Sequence, residues 1–175
     1  MLNYSEIMKT LEEQMSFYAA YHQDARNKAT HFIGVPAIML SLFIPLAWLK
    51  LQVGGLNLSA AILLAAVVLI YYVFLDPIIA LATAIFTACL VLLGTWIASQ
   101  GMAVGWSAFA VLFVGGWILQ LVGHVFEGRK PALADNLFQI FIAPIFLCAE
   151  VAFALGYKPQ LHSAVQERAR RLRAA

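Results

Sequence analysis

Apolar residues in this chain gather into five runs, each bounded by a short polar or turn-forming segment. The runs at about 29–49, 58–75, 78–98 and 102–125 each approach the roughly 20 residues that cross a bilayer as a helix. They predict four transmembrane helices. A fifth apolar stretch, 133–156, contains Pro144 and Glu150. Its proline predicts a break into two half-helices that dip in and return, which is allowed where protein surrounds the irregular backbone. Ahead of the runs, Tyr4, Ile7, Met8, Leu11, Met15, Tyr18 and His22 recur at helical spacing, with Glu6, Lys9, Glu13 and Gln14 largely off that stripe. An amphipathic helix over 2–22 is expected, lying at the interface or against the bundle. A break over Asp24–Asn27 follows, with Asn27 as the expected N-cap of the next helix. The fold class is therefore an all-α integral membrane protein of one domain. Residues 1–27 form the interfacial helix and break, 28–156 the bundle and 157–175 a basic tail.

Composition supports this. The 175 residues are 63% hydrophobic and 11% charged, against about 25% charged in a soluble domain. Too few charges exist to cover a water-facing surface, and membrane lipid is the expected surrounding. A net charge of +2 gives no reason to expect a nucleic-acid partner. The cluster Arg168, Arg170, Arg171 and Arg173 reads as a solvated tail that follows the positive-inside bias. Cys89 and Cys148 each lie inside an apolar run and form neither a disulfide framework nor a metal motif.

Counting crossings brings out the candidate chemistry. The first run leaves the N-terminal side, the second returns, the third leaves and the fourth returns. His31 at the start of the first run, His124 at the end of the fourth, and His22 all fall on one side. Arg26, Lys28, Arg129 and Lys130 share that side, which predicts that it is cytoplasmic. His22 and His31 are nine residues apart, half a turn on a continuous helix at about 100° per residue. Sharing one ion would require the break between them. Three imidazoles suit Fe, Zn, Cu or Ni. Glu127, three residues after His124, is a candidate fourth ligand, an acceptor that orients an imidazole, or a general base. Gln120 lies one turn before His124 on the same face, and Glu150 is an acid in an apolar stretch, a functional candidate by default. Arg129 and Lys130 are candidate binders of a substrate carboxylate, with Asn27, Asp135 and Asn136 as further polar candidates. Gly115, Gly116 and Gly123 are expected to allow close helix packing.

Phosphate-binding glycine loops, Gly-x-Ser-x-Gly and a cysteine paired with a base are all absent. The residues alone leave open a metal-dependent membrane lipid enzyme, such as a hydroxylase or hydrolase, and a non-catalytic small membrane protein. A transporter would need polar residues through mid-membrane, and the second and third runs offer almost none.

Several blocks together resemble one family. These are Tyr21-His22 with Asn27 and His31, then Phe32–Pro36, Gly116–Glu127, Arg129–Asn136, Ala143-Pro144, Glu150 and Leu155–Pro159. They resemble the Mpo1-like family, formerly a domain of unknown function, over nearly the whole chain. A characterised yeast member is an endoplasmic reticulum membrane enzyme, an Fe(II)-dependent dioxygenase that shortens 2-hydroxy fatty acids by one carbon. The resemblance implies Fe(II) as cofactor and a long-chain 2-hydroxy fatty acid with O2 as substrates. The composition is compatible with either a bacterial inner membrane or the endoplasmic reticulum as host. An octahedral ion on three histidines keeps three positions, enough for the two oxygens of a 2-hydroxy carboxylate and for O2. The yeast-like block carries a second histidine where Gln23 stands here. A larger ligand set would have to draw on Asp24 or Glu127.

Overall fold

The computed structural model describes residues 10–174. Tyr4, Ile7 and Met8 of the expected N-terminal stripe lie outside the described residues. Helix α1 spans Leu11–Ala19 and starts in a capping box, in which Thr10 accepts from the Glu13 N–H and Glu13 accepts from the Thr10 N–H. Helix α2, Ala25–Trp48, is capped by Asp24, whose side chain accepts from the Arg26 N–H. The expected cap, Asn27, sits instead inside the first turn. Asp24 takes the cap because Asn27 is drawn away, its amide buried and donating to Tyr21 O and Glu127.

A two-stranded hairpin follows, β1 Lys50–Val53 and β2 Leu56–Ser59, in register Lys50↔Ser59 to Val53↔Leu56. This hairpin departs from the all-α class and occupies the segment between the first two apolar runs. Gly54 and Gly55 both take positive φ, +57° and +83°, as a two-residue turn of this hand requires. The hairpin shortens the second apolar run to α3, Ala60–Leu75. At 1.5 Å per residue this helix is about 24 Å long. Helices α4, Pro77–Ser99, and α5, Met102–Glu127, complete the bundle. Three helices, α2, α4 and α5, are long and apolar enough to cross a membrane. Only 33%, 33% and 22% of their most apolar windows is buried within the chain, so much of the apolar surface faces outward, as lipid contact requires.

Gly116 and Gly123 set the spacing of α2 and α5. A Cβ on Gly123 would stand 2.3 Å from Thr30 Oγ1 and 2.4 Å from Asn27 Oδ1; one on Gly116 would stand 2.7 Å from Ile38 Cγ1. Gly115, by contrast, faces open space. Small residues at such a crossing let two helix backbones approach closely.

The fifth apolar stretch holds two 3-10 turns, Ala132–Ala134 and Leu137–Phe141, then α6, Ala143–Ala154. Pro144 begins α6 rather than interrupting it, a position where its missing N–H costs nothing. With 12 residues, α6 is about 18 Å long, well short of the roughly 30 Å of a bilayer core. The last helix, α7, Pro159–Ala174, returns to the end of the bundle that holds the α3–α4 turn and the C-terminus of α5. Lys158 reaches Asp76 at 2.6 Å, Arg168 pairs with Glu13 and Arg173 pairs with Glu127. The main buried core lies at this end, where Met15 and Tyr18 of α1, Tyr72, Ile79, Ile145 and Val165 of α7 come together.

Asp76 caps α4 through the Ile78 and Ile79 N–H groups and bonds Tyr157 as well as Lys158. Burial alone would push its carboxyl up, but the Lys158 ammonium and the two backbone donors outweigh that and hold it below the usual carboxylate range. A depressed folded value means stability that is present above the unfolded pKa of about 3.9 and lost as pH falls through the lower folded value. Replacing Asp76 by alanine is expected to cost about 1 kcal/mol as a lost cap, with little added by the half-exposed Lys158. Thermal unfolding in detergent between pH 7 and 3 checks this: the wild-type advantage should shrink at the acid end.

Candidate metal centre

His22 follows the end of α1 in a tight turn, with its N–H donating to Ala19 O at 3.0 Å. His31 lies two turns into α2, and His124 in the last turn of α5. All three are buried. His22 stacks on the Tyr18 ring at 4.1 Å between centroids. Its Nδ1 lies 2.7 Å from Tyr18 O, and His31 Nδ1 lies 2.9 Å from Asn27 O.

Those two contacts fix the tautomers. A carbonyl can only accept, so each Nδ1 carries the proton and each Nε2 keeps its lone pair. The two Nε2 atoms face one another at 3.0 Å. Burial, with the neighbouring His31 second, pushes the His22 pKa well below its ordinary value, so this imidazole stays neutral at physiological pH. Two lone pairs aimed at one point repel unless a cation lies between them. Imidazole nitrogens bound to one ion at about 2.1 Å and at a right angle stand about 3.0 Å apart. His124 completes the group, its ring 5.0 Å from His22 and 5.1 Å from His31. One nitrogen from each ring lies within 4.8 Å of the others, and His124 Nδ1 is buried with no hydrogen-bond partner. The three histidines could hold a metal ion, and the donor chemistry fits Fe(II) as it fits Zn(II). Among the described residues, no carboxylate joins this group.

Glu127 instead grips the break before α2. Its carboxylate accepts from the Gln23 N–H at 3.0 Å, the Asp24 N–H at 2.8 Å, Asn27 Nδ2 at 3.0 Å and Arg173. That grip turns the chain between His22 and His31 and brings them to the same point.

The histidines cap an apolar cavity of about 310 Å³. It runs down α2 past Val35, Ile38, Met39 and Leu42, facing Leu64 and Val68 of α3. From His31 to Leu42 this is about 17 Å of helix. Gln120 lines it one turn below His124. The other expected site residues lie off the lining. Arg129 stacks over the Tyr21 ring at 4.5 Å, and Lys130 pairs with Asp135 at 2.5 Å. Asp135 also accepts from Tyr21 OH at 2.6 Å, and Asn136 caps the second 3-10 turn through the Phe138 N–H. Glu150 pairs with Lys28 at 2.6 Å and ties α6 to α2. Sequence reasoning missed Gln139, 1% exposed and also on the lining. Its signal is a lone amide in the otherwise apolar Leu137–Phe141, a pattern that marks function.

A family model described as 2-hydroxy-palmitic acid dioxygenase Mpo1-like matches residues 8–155. The 2-hydroxy-palmitic acid dioxygenase MPO1 of Saccharomyces cerevisiae is 34% identical over 159 residues, 89% of this chain and 87% of the yeast protein. No solved structure matches the chain. The family match runs from before α1 to the end of α6 and takes in all three histidines and the cavity beneath them: this chain belongs to the Mpo1-like family.

Proposed function

We propose that this protein is an Fe(II)-dependent dioxygenase that converts long-chain 2-hydroxy fatty acids into acids one carbon shorter. The observation that carries the reading is the pair of facing imidazole lone pairs on the lining of an apolar cavity. Bound Fe(II) would supply open positions and electrons that bring O2 and a hydroxy acid together. The overall change breaks the C1–C2 bond, with C1 leaving as carbon dioxide and C2 becoming the new carboxyl. O2 takes up all the electrons released and yields one water, so no outside reductant is needed.

The chain's own residues bind and place the substrate. His22, His31 and His124 hold the ion. The walls from Val35 to Leu42 and from Leu64 to Val68 take the acyl tail, each buried methylene being worth about 0.8 kcal/mol. Leu42, Ile140 and Phe141 line the cavity and are partly exposed, so an acid can enter sideways from the bilayer. Glu127 and Asn27 hold the His22–His31 turn. Arg129, Lys130, Asp135 and Asn136 shape the segment that covers the site, and Glu150 anchors α6 on Lys28. We assign α2 to α5 as the four spans and the histidine end to the cytoplasmic face, on the grouping of Arg26, Lys28, Arg129 and Lys130 with the basic α7 at that end.

The test is O2 consumption by detergent-purified protein reconstituted with Fe(II) under nitrogen. Uptake with 2-hydroxyhexadecanoic acid and not with hexadecanoic acid is expected, with a 15-carbon acid as product. Iron bound without uptake would reject the dioxygenase reading in favour of another metal-dependent lipid reaction.

A further inference from the structure

The cavity holds two buried amides whose polar atoms are left over. Gln120 is 7% exposed, and its Nε2 has no partner; Gln139 is 1% exposed, and its Oε1 has none. Both residues line the cavity. A buried polar atom left unsatisfied costs about 1–3 kcal/mol, so each amide favours a ligand towards which it can turn and which completes it. One offers a donor and the other an acceptor. Their orientations have causes. Gln14 Nε2 donates to Tyr71 OH at 2.9 Å, which leaves Gln14 Oε1 to accept from Gln139 Nε2 at 3.5 Å. The nitrogen of Gln139 is thereby turned towards α1, and its oxygen is left over. Gln120 Nε2 lies against Gly34, where a Cβ would stand 2.7 Å away, so glycine there keeps room for the amide. Among the described residues, no Asp, Glu, Lys or Arg lines the cavity, so a carboxylate inside it meets neutral donors and whatever the histidines hold.

We infer that Gln120 and Gln139 read the head group of a 2-hydroxy acid, Gln120 Nε2 donating to the carboxylate and Gln139 Oε1 accepting from the 2-hydroxyl. This rests on the cavity being a fatty-acid site and adds which side chains choose the hydroxylated acid. A plain fatty acid fills the same walls and satisfies Gln120, but leaves Gln139 unpaired. Discrimination comes from that unpaired acceptor, as in sites built to bond a substrate hydroxyl.

The test is equilibrium binding to the full-length protein in detergent after chelator treatment, so that any preference comes from side chains. Trp117 lines the cavity, and quenching of its fluorescence reports occupancy. The probes are 2-hydroxyhexadecanoic, 2-fluorohexadecanoic and hexadecanoic acids; fluorine matches the hydroxyl in position but has no proton to give. Wild-type protein should bind the hydroxy acid about tenfold more tightly than the other two, the value of one good hydrogen bond. Gln139→Leu should bind all three alike. Gln120→Leu should weaken all three by a similar factor. Wild-type protein that binds the fluoro acid as tightly as the hydroxy acid overturns the inference without recourse to any variant, and so does a Gln139→Leu protein that keeps its preference. Neither result touches the dioxygenase reading, which stands or falls on O2 uptake. Wild-type protein that binds none of the three acids overturns the inference as well.

Discussion

Replacing His124 with alanine is expected to remove metal binding and turnover together while the fold survives. The reason lies in what each histidine does besides face the common point. His22 and His31 each donate Nδ1–H to a backbone carbonyl four residues back, so their removal also takes away a buried side-chain-to-backbone hydrogen bond. His124 Nδ1 has no such partner, which makes this residue the cleanest to delete. A group that only orients a metal ligand is worth about 10–100-fold in affinity, so losing one ligand of three should exceed about 100-fold. Anaerobic titration with Co(II), read by its visible absorption, measures this beside the unfolding midpoint. Full metal affinity in His124→Ala would remove the three-histidine assignment. Lost affinity with a lowered midpoint would recast His124 as a packing residue.

Much of that site is legible in the chain, for a simple reason. Reading the four apolar runs as crossings puts residues 31 and 124 at one end by parity, without tertiary detail, although only three of the four form helices long enough to span. The turn that brings His22 to His31 is less legible. A break over 24–27 is foreseeable from Asp24 and Asn27, but its shape is set by Glu127, about 100 residues away. That contact reverses the roles of the two residues: Asp24 caps α2, and Asn27 turns inward. The hairpin over Lys50–Ser59 has a local signal in Val53-Gly54-Gly55-Leu56, but it falls in the short segment between two apolar runs, where four-residue strands leave little pattern. Gln139 was hidden for the opposite reason. One amide among apolar neighbours has no periodicity, and only the packing of the second 3-10 turn against Gln14 and the cavity gives it meaning.

Replacing Glu127 with alanine is expected to loosen the site as much as it destabilises the fold. Its carboxylate ends α5, where the helix dipole disfavours an anion, so helix stability does not explain its place. Four donors on three segments do: the Gln23 and Asp24 N–H groups, the Asn27 amide, and Arg173 of α7, beyond the family match. Alanine leaves the Gln23 and Asp24 N–H groups without an acceptor and Asn27 Nδ2 with Tyr21 O alone, a cost on the order of 3 kcal/mol. Freed from that anchor, the turn carrying His22 should relax, and Co(II) affinity should fall with stability. Arg173→Ala should cost far less, because the guanidinium is 37% exposed and water can replace its partner. Glu127→Gln separates anchor from base. An amide oxygen still accepts from part of this set, so metal affinity should fall only partly, and turnover should follow it. If Glu127→Gln kept wild-type stability and metal affinity but lost turnover, the carboxylate would be moving a proton, and the anchoring role would be wrong. If Arg173→Ala proved as damaging as Glu127→Ala, the main work of the carboxylate would be to hold α7 in place rather than to shape the turn between His22 and His31.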